Sequence, residues 1–144
     1  MSKLLMAIKA GILKGIKTGL LLLKVMLPIY AVVVVIKYSP IMPLLERTFA
    51  PAMKLFHLPG DAVVPIISGF FTDEYGVVAA MSSFDFSKAS ITTIAMIALT
   101  AHSLPVESAV GKKIGFPVML VAAYRLSMAV LVGMLIGWLG GVFL

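Results

Sequence analysis

Ionisable side chains occur inside long apolar stretches of this sequence, where each of them needs a partner. Arg125 lies in the first half of the apolar segment 116–144. An ionised group in a membrane interior costs at least about 2.5 kcal/mol, so it marks a functional site by default. The candidate partners of Arg125 are the carboxylates of Glu107, Asp73 and Glu74. Two interpretations stay open: Arg125 contacts a solute, or it pairs structurally with backbone carbonyl groups.

A second polar group, residues 100–108, contains hydroxyl groups, a histidine and a carboxylate around Pro105. Proline breaks a helix, and a broken helix frees carbonyl and amide groups that can replace the hydration shell of a solute or ion. His102 can exchange a proton near neutral pH. The alternative is an ordinary helix end with a histidine at the membrane interface. The predicted substrate-binding residues are His102, Ser103, Glu107, Ser108, Arg125, Asp73 and Glu74.

Known catalytic and metal-binding patterns do not occur in the sequence. It contains no HExxH, GxSxG or glycine-rich phosphate loop, no metal-binding histidine pair and no cysteine. We therefore predict that the protein is not an enzyme and has neither a cofactor nor a metal site.

The composition predicts an integral membrane protein. Of the 144 residues 61% are hydrophobic and 12% are charged, and the mean hydropathy is +1.12. Too little polar surface remains to coat a soluble domain, so most of the exterior faces lipid. The net charge of +6 arises largely from lysines near the N-terminus, which suit anionic lipid headgroups rather than nucleic acid. A cleaved signal peptide is the alternative, but the basic stretch is too long for one and no small-x-small site follows it.

Apolar periodicity and helix breakers predict an all-α membrane domain over residues 1–144. It has about three transmembrane helices, an amphipathic N-terminal helix that can continue into the first span, and a re-entrant helical hairpin. The hairpin is predicted because each apolar arm, about 18 Å long if helical, is too short to cross a bilayer core of about 30 Å; two tilted interfacial helices are the alternative. The predicted order is a basic helix (1–19), first span (20–38), interfacial segment (39–59), hairpin (60–83), second span (88–105), broken segment (106–115) and third span (116–144).

Small residues at four-residue spacing form two stripes that would let helices approach closely. The alternative is that glycine is simply common in membrane helices. The predicted packing residues are Gly11, Gly15 and Gly19 in one stripe and Ala129, Gly133, Gly137 and Gly141 in the other.

The distribution of basic residues favours a cytoplasmic N-terminus and three crossings, because cytoplasmic loops carry an excess of Lys and Arg. Four basic residues would lie on the far side: Lys37, Arg47, Lys54 and Lys88. Seven would lie on the N-terminal side: Lys3, Lys9, Lys14, Lys17, Lys24, Lys112 and Lys113.

The order of these parts resembles the small nucleoside-recognition, or Gate-domain, membrane proteins, a group similar to bacterial spore maturation proteins. Related Gate domains occur within ferrous iron transporters and concentrative nucleoside carriers. The matching stretches are KGIKTG (14–19), PIY (28–30), APAMKLFHLPG (50–60), PIISGFF (65–71) and AHSLPVESAVGKK (101–113). The resemblance implies a bacterial cell (inner) membrane location and a solute path lined by the hairpin and the broken segment. Many relatives have an Asn at the hairpin turn, whereas this chain has TDEYG (72–76) and no Asn.

Three crossings and one hairpin are too few to enclose a path, so the resemblance implies a homodimer or pairing with a similar Gate-domain partner. We expect a half-transporter for a small polar solute, with nucleosides as the class the family name suggests. The alternative is a non-transporting membrane interaction or assembly protein, associated with sporulation, whose glycine stripes bind partner helices.

Overall fold

The computed structural model describes the backbone of residues 2–143 and the side-chain surroundings of residues 3–140. Every regular element in this part of the chain is helical. The helices are α1 (Ser2–Lys37), α2 (Ile41–Leu55), a short 3-10 turn (Gly60–Ala62), α3 (Val63–Phe71), α4 (Glu74–Met81), α5 (Lys88–Ala101), α6 (Leu104–Lys113) and α7 (Val118–Phe143).

Three segments are long and apolar enough to cross a membrane, which confirms the predicted number of spans. They are Lys3–Lys37, Lys88–Lys113 and Val118–Gly140. The protein is thus a membrane protein with transmembrane helices.

Helix α1 joins the predicted basic helix and first span into one helix that continues through Pro28. Its 36 residues extend about 54 Å, far more than the hydrocarbon core of a bilayer. The first half of α1 has little protein around it: Leu5 and Ile16 are exposed, and no atom lies within 4 Å of where a Cβ on Gly15 would stand.

The second span is interrupted at His102 and Ser103, earlier than the break expected at Pro105, and residues 104–113 are helical rather than irregular. Ser103 has a left-handed backbone conformation with φ 51°. Pro105 falls in the first turn of α6, where a backbone N–H has no acceptor within the helix, so the N–H that proline lacks is not needed. The proline therefore starts the second helix, and Ser103 makes the interruption.

Helices α3 and α4 form a compact pair joined by Thr72 and Asp73. Their close approach depends on glycine, since a Cβ on Gly69 would stand 2.7 Å from the Val77 side chain. Asp61 does not cap α3, because Ala62 occupies the N-cap position and no side chain bonds there. Ser87, by contrast, caps α5 by accepting from the Ser90 N–H at 3.1 Å.

The buried core is built mainly from α3 and α5, with residues from α2 and α4, and α7 packs antiparallel to α5 beside it. Near one end Gly140 faces Ala89, and further along Gly133 faces Ile97. Ala129 is buried, and a Cβ on Gly137 would overlap the carbonyl oxygen of Phe56. The α7 stripe therefore packs within the chain; the surroundings of Gly141 lie outside the described residues.

Helix α2 forms despite Pro43 and Pro51 and buries Met42 and Met53 against the core. No atom lies within 4 Å of a Cβ placed on Gly11, Gly15 or Gly19. The two predicted stripes thus differ: the one on α7 is filled by this chain, and the one on α1 is not.

Candidate functional site

The turn between α3 and α4 meets the interruption between α5 and α6. The Ser103 N–H donates to the carbonyl oxygens of Thr72 at 2.8 Å and Gly69 at 3.0 Å. The Ser103 hydroxyl also donates to Thr72 O, at 2.6 Å. Because the extended backbone of His102, with ψ 163°, turns the Ser103 N–H away from α5, the interruption is joined to α3 by backbone hydrogen bonds.

His102, at the end of α5, faces carboxylates from two other helices. Its Nε2 lies 3.1 Å from Glu74 Oε1 on α4 and 3.8 Å from Glu107 Oε1 on α6. Its Nδ1 lies 3.3 Å from the carbonyl oxygen of Ala98, one turn earlier on α5. The imidazole therefore connects α4, α5 and α6 at one point.

Arg125, on α7, completes this group. Its guanidinium forms an ion pair with Glu107, and its Nε donates to Thr100 O at 2.9 Å. Of the three carboxylates named as candidate partners, Glu107 is therefore the one it contacts. The guanidinium holds α7 to both halves of the interrupted span. We call Glu74, His102, Glu107 and Arg125 the polar cluster.

The polar cluster is open on its acidic side. The side chains of Glu74 and Glu107 are 44% and 47% exposed, whereas those of His102 and Arg125 are 22% and 18% exposed. Beside it lies a small cavity of about 90 Å³, bounded by Glu107, Ser108, Phe116 and Arg125. A solute arriving here would meet carboxylate oxygens first, with the imidazole and the guanidinium behind them.

Not every predicted site residue belongs to the polar cluster. Asp73 caps α4 by accepting from the Gly76 N–H at 3.1 Å. The hydroxyl of Ser103 is engaged by Thr72, and Ser108 lines the neighbouring cavity. Solute binding by these residues stays a prediction, as it does for the cluster itself.

Sequence reasoning missed the residues that contribute through their backbone. The carbonyl groups of Gly69, Thr72, Ala98 and Thr100 accept the hydrogen bonds that position Ser103, His102 and Arg125. One sign was available in the sequence: Gly69 and Gly76 flank the turn, and small residues there permit close approach of backbones.

The site lies partway along α1 rather than at its end. A Cβ on Gly76, in the first turn of α4, would stand 3.2 Å from Ile29 of α1. At the other end of α4, Lys37 Nζ donates to Ser83 O at 2.5 Å. From Ile29 to Lys37 a helix rises about 12 Å, which is somewhat less than half the thickness of a bilayer core.

Within the described residues, no group of three or more His, Asp or Glu side chains is arranged to hold a metal ion.

Comparison with known proteins gives two matches. The sequence model of the Gate family, described as nucleoside recognition, matches residues 20–117. The chain is also 31% identical over 134 residues to the uncharacterized membrane protein YvoD of Bacillus subtilis (strain 168). That alignment covers 92% of this chain and 43% of YvoD, so the chain spans less than half the length of its relative. No solved structure matches the chain.

Proposed function

Because the chain belongs to the Gate family, whose model covers more than half of it, we propose that it is one half of a membrane transport protein for a small polar solute. Two copies, or one copy and a similar Gate-domain partner, supply the two walls of the path. The solute passes the polar cluster at the meeting point of the α3–α4 hairpin and the interrupted span.

The polar cluster is the observation that carries this proposal. Four ionisable side chains from α4, α5, α6 and α7 converge beside an interruption in an apolar span. Ionisable residues and irregular backbone at membrane depth are tolerated where they line a watered cavity or are buried by protein. Glu74 and Glu107 are nearly half exposed in the single chain. A wet path covered by a second subunit accounts for the ionisable side chains and for the interrupted backbone beside them.

Pairing of two units also agrees with the length of the relative. YvoD is more than twice as long as the segment that aligns with this chain, so it has room for a second unit of similar size. Transporters commonly place their site between two structural repeats. A homodimer, with the polar cluster of each protomer facing the shared path, is the simplest arrangement of this kind.

Nucleosides are the first solutes to test, because the family is described by their recognition. Ribose hydroxyls can donate to Glu74 and Glu107, and a base carbonyl can accept from Arg125. Carboxylates and a guanidinium fit this set of donors and acceptors, whereas the apolar residues around them supply no specific hydrogen bonds.

Uptake into proteoliposomes, together with ligand-induced thermal stabilisation in detergent, tests the proposal. We expect Glu107→Ala and Arg125→Ala each to abolish nucleoside uptake and stabilisation while the oligomer remains intact. Asp85→Ala and Arg47→Ala are the matched controls, because Asp85 and Arg47 carry the same charges, are exposed and lie away from the cluster. Normal uptake by both cluster variants would show that these residues have a structural role and that the site lies elsewhere.

A second candidate function is a non-transporting interaction protein, and the uncovered first half of α1 favours it. The stripe Gly11, Gly15 and Gly19 has no neighbour within the chain. Under this alternative Gly15→Leu abolishes recovery of a partner protein, and no nucleoside, base or metal ion stabilises the fold. Ligand stabilisation that survives Gly15→Leu would instead favour transport.

A further inference from the structure

Both ring nitrogens of His102 face hydrogen-bond acceptors. Nδ1 lies 3.3 Å from the Ala98 carbonyl oxygen, and Nε2 lies 3.1 Å from a Glu74 carboxylate oxygen. A neutral imidazole carries a single N–H, so beside an ionised Glu74 one nitrogen would point its lone pair at an oxygen that cannot donate. Only the imidazolium ion donates on both sides. This arrangement of acceptors therefore suits an imidazolium beside an ionised Glu74.

The charges around His102 lead to the same conclusion. Glu74 and Glu107 carry two negative charges against the single positive charge of Arg125. A proton on His102 makes the polar cluster neutral, which lowers its cost in an apolar surrounding.

No other charged group on the packed helices replaces this proton. Helix α3 has no ionisable residue, Lys88 is at the far end of α5, and Lys112 and Lys113 are in the last turn of α6. Asp73, at the turn, carries a negative charge and is bonded to the Gly76 N–H. Glu74, Glu107 and Arg125 are therefore the charged groups that face the imidazole.

We propose that His102 is a proton-binding site whose occupancy decides whether the α3–α4 hairpin is held to the interrupted span by side chains. With the proton bound, the imidazolium donates to Glu74 on α4 and to the Ala98 carbonyl on α5. When the proton leaves, one of these hydrogen bonds is lost and the cluster has a net negative charge, so Glu74 and the start of α4 move away from α5. A role of this proton as the coupling ion for solute movement rests on the proposed function. The pH-dependent contact itself does not require transport.

The distance between the hairpin and α6 tests this inference directly, since the chain has no cysteine and accepts two specific labels. Tyr75→Cys on α4 and Val106→Cys on α6 replace exposed side chains and carry nitroxide labels. In the full-length protein in nanodiscs, we expect a short distance at about pH 5 and a shift to longer distances at about pH 8, the range over which histidine changes charge. His102→Gln should remove this shift.

His57→Asn is the matched control, because His57 is the other histidine, is exposed, and has a left-handed φ of 55° that Asn tolerates. It should keep the full pH-dependent shift, and Glu74→Gln should lose it even if His102→Gln fails to fold. An unchanged distance in the unsubstituted labelled protein, or a shift that persists in Glu74→Gln or His102→Gln, overturns the inference. Closure at about pH 8 on adding sodium ions also overturns it, by showing a metal cation in place of the proton.

The transport assay distinguishes this inference from the proposed function. If uptake does not depend on pH and the distance between the labels stays constant, the protein is a transporter and the proton site is wrong. A pH-dependent distance in a protein that moves no solute would leave the proton site and remove the transport proposal.

Discussion

The Thr72 carbonyl oxygen accepts two hydrogen bonds from Ser103, one from the backbone N–H at 2.8 Å and one from the hydroxyl at 2.6 Å. Thr72 ends α3, and Ser103 lies between α5 and α6. One carbonyl group thus accepts two of the hydrogen bonds that join the α3–α4 pair to the interrupted span beside the polar cluster. The backbone bond is available to any residue except proline, whereas the hydroxyl bond needs Ser or Thr.

Substitution of Ser103 should separate these two contributions. Ser103→Gly loses one side-chain hydrogen bond, worth about 1 kcal/mol net, but adopts φ 51° without strain. Ser103→Ala loses the same bond and keeps the Cβ, which costs about 1 kcal/mol in the left-handed region and which only the Gly variant removes. Thermal unfolding in detergent should therefore place the Ala variant below both the unsubstituted protein and the Gly variant. Equal stability of the two variants would contradict this account of Ser103.

The two small-residue stripes should respond differently to the same substitution. Gly137→Ala places a methyl group on the Phe56 carbonyl oxygen and should destabilise the fold by at least about 1–3 kcal/mol. Gly15→Ala meets no atom within 4 Å and replaces a poor helix former, so it should be neutral or raise stability by up to about 1 kcal/mol. Thermal unfolding of each purified variant measures both effects. If Gly15→Ala lowers the stability, another protein chain contacts α1 at this position.

The ion pair of Arg125 with Glu107 should show strong coupling. Arg125→Gln leaves an unpaired carboxylate facing Glu74, so we expect the double variant Arg125→Gln with Glu107→Gln to be more stable than Arg125→Gln alone, by about 1 kcal/mol or more. Chemical or thermal unfolding of the four proteins of this cycle gives the coupling energy. Additive single effects would show that the pair contributes nothing to stability.

Asp61 lies outside the three spans, and its ionisation should make the stability of the fold depend on pH. Burial raises the pKa of its carboxyl group above 3.8, opposed by backbone hydrogen bonds at Asp61 and Ala62 and by the charge of Lys37. The folded protein thus holds this proton more tightly than the unfolded chain does, and stability falls as pH rises from about 3.8 through the raised pKa. Asp61→Asn should therefore stabilise the protein near neutral pH, with a smaller gain in acid. An equal change at both pH values would show that its ionisation does not matter.

Features set by local sequence were predictable. Ser87 stands before an apolar helical stretch and caps α5, and the lengths of the apolar segments gave the three spans. Glu107 was one of three carboxylates named as candidate partners of Arg125, because a membrane charge needs a partner. The cap and the spans depend on residue type and chain length alone, whereas the choice among the three carboxylates depends on the fold.

Features set by tertiary contacts were not predictable. The interruption falls within the predicted stretch 100–108, but Pro105 did not indicate its residues, because a proline is equally suited to the first turn of a new helix and the deciding bonds come from Gly69 and Thr72. Asp73 and Glu74 are adjacent, yet one caps α4 and the other faces His102, since the start of α4 separates their directions. Likewise, the spacing of the glycines alone does not predict whether a stripe packs against another helix of the same chain.

The carbonyl groups in the last turn of α5 accept from His102 and Arg125 themselves, at Ala98 and Thr100. Replacing either side chain would leave a carbonyl oxygen of α5 without this hydrogen bond in an apolar environment, and would also alter the polar cluster. Evolution of a new specificity is therefore constrained here, since single changes at these two positions lower stability as well as altering the site. Variation among descendants is expected to accumulate instead at Ser108 and Phe116, whose side chains border the neighbouring cavity and hold no helix end together.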